Sequence, residues 1–104
     1  MELDKTDNRR SVRIRQGQPI TIRLPENPTT GYRWIVASAQ ESLVALLSDT
    51  YQAIGINPGM SGVHSFHFQA MKPGCAIVEL VNRRAWEKEG ASLEHFTITV
   101  EIVK

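Results

Sequence analysis

Apolar and polar residues alternate along most of the chain. The alternation is clearest near the end, where Phe96, Ile98 and Val100 are separated by threonines. A period of two is typical of a β-strand with one buried and one solvated face, and it is far more frequent here than the helical period of 3.6. The pattern predicts seven strands, at approximately residues 11–16, 19–24, 32–37, 50–54, 63–70, 75–82 and 93–103.

One segment departs from this alternation. Residues 38–47, with the sequence SAQESLVALL, begin with a capping-type Ser38 and continue with good helix formers. The segment favours either a single helical turn or a loop that leads into a short strand near Tyr51.

Clusters of glycine, proline, asparagine and serine separate the predicted strands, as expected of turns. Seven short strands at this spacing predict an all-β fold, an immunoglobulin-like antiparallel β-sandwich. Several residues on the apolar faces should then be buried. They are Trp34, Phe66, Phe68, Phe96, Ile98 and Val100.

The length of 104 residues suits one domain, and a hydrophobic share of 41% is enough for a core. The first ten residues are polar and lack periodicity, so we expect a loosely attached or disordered segment over 1–10. The single immunoglobulin-like domain is predicted to span residues 11–104.

The charge is nearly balanced, with 12 basic and 11 acidic residues and a net charge of +1. This balance gives no basic surface for nucleic acid or an anionic membrane. No apolar stretch approaches the roughly 20 residues of a membrane span. No signal peptide is visible, and a periplasmic or secreted location stays open if a signal segment has been removed.

The sequence offers little for catalysis. Cys75 is the only cysteine, which excludes an intrachain disulfide, and it is expected to be a small core residue rather than a nucleophile. His64, His67 and His95 do not have the spacing of a metal-binding motif. We therefore expect no catalytic activity, no metal and no cofactor.

If the strands run alternately up and down, the second–third, fourth–fifth and sixth–seventh connections meet at one end of the sandwich. The first contains NPTTG, in which Pro28 has a fixed φ, Thr29 and Thr30 have restricted χ1, and Gly31 permits a positive φ. A loop stiffened in this way loses little entropy on binding. A well-made connector would show the same chemistry.

The other two connections carry features of binding loops. Gly59 and Gly62 permit the close approach of another backbone, and Met60 offers an adaptable apolar contact. Arg84 and Trp86 are of the residue types enriched at binding hot spots. A flexible loop and a tryptophan folded back onto the sandwich are the structural alternatives.

Taken together and in order, these motifs resemble those of the chagasin-like inhibitors of papain-like cysteine peptidases. That family carries an Asn-Pro-Thr-Thr-Gly loop, a Gly-Xaa-Gly-Gly loop and an Arg-Pro-Trp loop on an immunoglobulin-like domain. The matching positions are Asn27, Pro28, Thr29, Thr30 and Gly31; Gly59, Met60, Ser61 and Gly62; and Arg84, Ala85 and Trp86. Ser61 and Ala85 depart from the family pattern.

The resemblance implies a monomeric, reversible, cofactor-free inhibitor whose partner is a papain-like cysteine peptidase. Thr29 would lie over the catalytic Cys–His pair, the glycine loop would follow the substrate cleft, and Trp86 with Arg84 would occupy the leaving-group side. The alternative function is an immunoglobulin-like binding or adhesion module with no peptidase target.

Overall fold

The computed structural model describes residues 1–27, 30–54, 62–84 and 94–104. Six of the predicted site residues, Pro28, Thr29, Gly59, Met60, Ser61 and Trp86, lie outside these ranges. The strands are β1 (Glu2–Asp4), β2 (Ser11–Arg15), β3 (Pro19–Glu26), β4 (Tyr32–Ser38), β5 (Val44–Ala53), β6 (Gly62–Ala70), β7 (Gly74–Arg84) and β8 (Glu94–Val103).

The strands form two four-stranded sheets, one ordered β1-β3-β6-β5 and the other β2-β8-β7-β4. Neighbouring strands are antiparallel, except that β1 pairs with β3 and β2 pairs with β8 in parallel. The predicted β-sandwich is therefore confirmed, with one strand more than the sequence indicated. Within the described ranges, no helix is long and apolar enough to cross a membrane.

The core lies between the two sheets and is built from alternate residues of each strand. In β6 and β8 the alternation is strict, with every second side chain buried. Fully burying a large apolar side chain contributes about 1.5–3 kcal/mol, so this face stabilises the fold. All six residues expected in the core, Trp34, Phe66, Phe68, Phe96, Ile98 and Val100, are at most 3% exposed.

The first ten residues are attached more closely than the sequence analysis expected. Strand β1 pairs in parallel with β3, and Leu3 is buried in the core. A 3-10 helix follows at Lys5–Asp7, capped by Asp4. Hydrogen bonds from the hydroxyl and backbone N–H of Thr6 lower the pKa of Asp4. One buried leucine and these bonds fix a segment that has no periodicity of its own.

Residues 38–47 contain a single turn and no longer helix. A turn over residues 41–43 is closed by hydrogen bonds from the N–H groups of Leu43 and Val44 to the carbonyl of Gln40. Strand β5 then begins at Val44, well before the predicted residue 50, and a bulge interrupts it between Leu46 and Ser48. Pairing with β6 overrides the local helix propensity.

Cys75 is exposed, so its predicted place in the core is wrong. It precedes Ala76, which is fully buried, and successive side chains of a strand point to opposite faces. The cysteine therefore points away from the core.

Because Cys75 is exposed, we expect Cys75→Ser to change the free energy of unfolding by less than about 0.5 kcal/mol. The control is Ala76→Ser, which places a hydroxyl in the core and should cost about 1–3 kcal/mol. Urea unfolding of both variants measures the difference. Equal destabilisation by the two substitutions would contradict the outward position of Cys75.

Candidate functional site

Six strand ends meet at one end of the sandwich, which we call the rim. The register pairs there are Glu26 with Gly62, Gly62 with Ala53, Tyr32 with Arg84, and Asn82 with Glu94. Residues 27–31, 54–61 and 85–93, the first, second and third loops, therefore leave and re-enter the sandwich at the rim. The turns after β2 and β6 lie at the opposite end.

The first loop re-enters the sandwich through a locally hydrogen-bonded turn. The hydroxyl of Thr30 donates to the carbonyl of Asn27 over 2.8 Å, and the backbone N–H of Thr30 lies 3.3 Å from the same oxygen. The Thr30 hydroxyl also accepts from the N–H of Tyr32 at 3.4 Å. Gly31 has φ +80°, the left-handed conformation that the sequence predicted for it. Thr30 and Gly31 thus fix the direction in which the chain enters β4.

Arg84 connects the third loop to the first. Its Nε donates to the carbonyl of Thr30 over 3.3 Å, and its guanidinium lies 4.7 Å from the centre of the Tyr32 ring. Tyr32 and Arg84 are also register partners in β4 and β7. The structure therefore brings together Thr30 and Arg84, which are 54 positions apart in the sequence.

Gly62 begins β6 under the side chain of Tyr51. A Cβ at this position would lie 2.5 Å from the carbonyl oxygen of Gln52 and closer still to the Tyr51 hydroxyl. The sequence predicted that this glycine permits the close approach of another chain. In the structure the close neighbour is the protein's own strand β5.

A chain of three side chains, two of them buried, lies directly beneath the rim. His64 Nδ1 is 2.7 Å from Glu26 Oε2, and His64 Nε2 is 2.7 Å from Asp49 Oδ2. Glu26 and His64 are buried, whereas the Asp49 side chain is about half exposed. We call these three residues the bridge, because they join β3, β6 and β5.

The bridge also reaches the second sheet. The Glu26 carboxylate accepts from the backbone N–H of Trp34 at 2.8 Å, and Arg33 Nε lies 4.0 Å from its other oxygen. The indole N–H of Trp34 donates to the carbonyl of Pro25 over 2.8 Å. Trp34 of β4 therefore donates two hydrogen bonds to β3. These bonds link the strand that precedes the first loop to the strand that follows it.

Three buried polar atoms at the rim have no hydrogen-bond partner in the described part of the chain. They are the Tyr51 hydroxyl oxygen, Asn82 Oδ1 and Arg83 Nε. Tyr51 lies next to Gly62, and the other two residues lie near the end of β7, which leads into the third loop.

Sequence reasoning did not assign the bridge a role, although a signal for it was present. Glu26 continues the alternation of Ile22 and Leu24 in β3. In the same way, His64 lies two residues before Phe66 and four before Phe68 in β6. Both positions therefore predict side chains that point into the core. A buried carboxylate and a buried imidazole on different strands need partners, and here each partners the other.

The bridge does not form a metal site. The two carboxylates engage opposite nitrogens of the His64 ring, so the three side chains do not converge on one point. Across the described ranges, no group of three or more histidine, cysteine, aspartate or glutamate side chains is arranged to hold a metal ion.

Comparison with known proteins gives a consistent result. A family model described as Chagasin family peptidase inhibitor I42 matches residues 13–100. Amoebiasin-1 of Entamoeba histolytica is 32% identical over 104 residues, which cover 98% of this chain and 99% of that protein. Chagasin of Trypanosoma cruzi is 26% identical over 102 residues, which cover 93% of each chain.

Solved structures agree with the sequence relatives. The crystal structure of the cysteine protease inhibitor EhICP2 from Entamoeba histolytica is similar to this fold, with a TM-score of 0.89 and 26% identity. The similarity covers 98% of this chain and 94% of that one. It extends over the whole sandwich, including the strands that carry the rim.

Proposed function

Because the chain belongs to the chagasin family of peptidase inhibitors, we propose that its rim blocks the active-site cleft of papain-like cysteine peptidases. Membership confirms the resemblance seen in the sequence motifs. It makes the chain a cysteine peptidase inhibitor, as members of the family are, and not an enzyme.

The observation that carries the proposal is the convergence of the three motif-bearing loops on the rim. A substrate cleft is a long groove, and several loops side by side can fill more of it than one loop can. The six strand ends lie on two paired sheets, so the loops start from a rigid base. Rigidity limits the ordering cost of binding, and more of the contact energy is then expressed as affinity.

We assign roles to the loops as follows. The first loop, with Asn27, Pro28, Thr29, Thr30 and Gly31, is the wedge over the peptidase nucleophile. The second, with Gly59, Met60 and Ser61 and with the adjoining Gly62 of β6, follows the cleft by backbone contacts. The third, with Trp86 and with the adjoining Arg84 of β7, occupies the leaving-group side.

Described contacts support this division of the rim. Thr30 and Gly31 fix the exit of the first loop, and Arg84 fastens it to the base of the third. The first and third loops are therefore presented as one unit. Exclusion of substrate by such a unit requires no covalent bond and no metal, so inhibition should be reversible.

The test is titration of papain with the purified protein, in the presence and absence of a metal chelator. We expect reversible inhibition that the chelator does not change and that dilution reverses. A folded protein without effect on papain and on other papain-like peptidases would overturn the proposal and favour a binding or adhesion module.

For the rim, we predict that Arg84→Ala raises the inhibition constant about two- to fivefold, the equivalent of an exposed cation–π contact of about 0.5–1 kcal/mol. The substitution also removes the hydrogen bond to Thr30. The matched control is Arg13→Ala, because Arg13 is an exposed arginine on β2 that pairs with Glu101 away from the rim. An equal effect of both substitutions on papain inhibition would argue against a role for Arg84.

A further inference from the structure

We propose that the bridge of Glu26, His64 and Asp49 is the positioning device of the inhibitory rim, holding the first and second loops in a fixed mutual arrangement. Its effect on inhibition rests on the function proposed above. Its effect on the loops can be measured in the free protein, so the two proposals can fail separately.

The bridge residues lie on the strands that flank the first and second loops. Glu26 is the last residue of β3 and directly precedes the first loop, while Trp34 lies three residues after that loop. His64 is the third residue of β6 and follows the second loop, and Asp49 lies on β5, which leads into it. The bridge therefore contacts the strands at both ends of both loops.

The bridge supplies directional contacts, whereas the apolar core supplies only non-directional ones. The two sheets face each other through apolar side chains, and hydrophobic attraction is not directional. Hydrogen bonds require defined distances and angles. The Trp34 N–H bond to Glu26 and the Trp34 indole bond to Pro25 fix how β4 lies against β3 at the rim.

Both nitrogens of the buried His64 ring have a polar partner. Nδ1 lies 2.7 Å from a carboxylate oxygen of Glu26, and Nε2 lies 2.7 Å from a carboxylate oxygen of Asp49. Buried polar groups are normally paired, and in the bridge neither ring nitrogen is left without a partner.

Packing around the ring limits its movement. His64 stacks on Phe66 with the ring centres 4.3 Å apart and the planes 10° from parallel. A ring held by a stacked neighbour and two carboxylates has one orientation, so it transmits the position of β6 to β3 and β5. The histidine is a positioning residue, because its neighbours rather than the target peptidase touch it.

The test compares His64→Gln with His67→Gln. His67 is the matched control, since it lies on the same strand but contacts Thr21 on the partly exposed face instead of the bridge. Amide hydrogen exchange is measured in the free proteins at Trp34, whose N–H is bound by Glu26, and at core amides of β8. Inhibition constants for papain are measured alongside.

For His64→Gln, we expect Trp34 exchange to accelerate about tenfold or more beyond any change in β8, because the loss is local to the rim. The inhibition constant should rise by about tenfold or more as the loops lose preorganisation. His67→Gln should change both quantities by less than about twofold.

Three results would overturn the inference. Equal acceleration at Trp34 and in β8 would mean that His64 supports only overall stability. Unchanged inhibition despite accelerated exchange at Trp34 would mean that the bridge does not position the inhibitory surface. Unchanged exchange at Trp34 would mean that the loops do not depend on the bridge, and this holds even if the parent protein fails to inhibit papain. A Glu26→Gln variant, which keeps an acceptor for Trp34, gives a second reading if His64→Gln does not fold.

Discussion

Replacing Glu26 with alanine should lower the free energy of unfolding by about 3–5 kcal/mol. The carboxylate is buried, accepts from the backbone N–H of Trp34 and lies 2.7 Å from His64 Nδ1. Its removal leaves the histidine ring and the N–H buried without this partner, and breaking a buried pair from one side costs more than the pair itself contributes. Small domains have about 5–15 kcal/mol of stability in total, so the loss would be a large share of it.

Urea unfolding measures this loss, and Glu101→Ala is the matched control. Glu101 is a glutamate on β8 whose side chain is 52% exposed and pairs with Arg13 at 3.4 Å. Exposed pairs contribute about 0–1 kcal/mol, so the control should remain close to the parent. Similar losses in the two variants would show that Glu26 contributes no more than a surface carboxylate.

The second large effect is expected from Gly62→Ala, which should destabilise the fold by about 1–3 kcal/mol and weaken papain inhibition by about tenfold or more. The added methyl group would meet the Tyr51 side chain and the Gln52 carbonyl oxygen. The tyrosine ring can rotate, but the carbonyl belongs to the backbone of β5. Either β5 or the start of β6 must therefore move, and the second loop is attached to both strands.

Gly17→Ala separates stability from function in this experiment. Gly17 has φ +88°, with no neighbour within 4 Å of an added Cβ, and it lies in the turn at the opposite end of the sandwich. An alanine there should cost about 1–2 kcal/mol through backbone strain alone. We expect Gly17→Ala to inhibit papain like the parent when both are folded. If Gly62→Ala also inhibits like the parent, the start of β6 does not shape the inhibitory surface.

The sequence alone was sufficient for the sandwich and for the location of the rim. A strand between a core and solvent must alternate, so each strand of this kind carries its own evidence, as β6 and β8 do. Because antiparallel strands reverse direction at every turn, the order of the loops determines which of them share an end. The three motifs could therefore be placed together before any contact was known.

Strands β1 and β5 could not be predicted in the same way. Both are edge strands, with one hydrogen-bonded neighbour each. Most β5 side chains after Val44 are exposed or half-buried, so they do not alternate, and leucine and alanine also suit a helix. The three residues of β1 are held by β3 and by the burial of Leu3. The conformation of such segments depends on the strand with which they pair, and their local sequence does not specify that partner.

The bridge shows the same division at the level of single residues. The alternation within each strand was enough to indicate that Glu26 and His64 point inward, but the two residues are 38 positions apart in the chain. Only the pairing of β3 with β6, and the packing of β4 against them, made the carboxylate, the imidazole and the Trp34 N–H partners. Alternation is a local property because it reflects the solvation of each residue, whereas a hydrogen bond between distant strands depends on distances that only the folded sheets define.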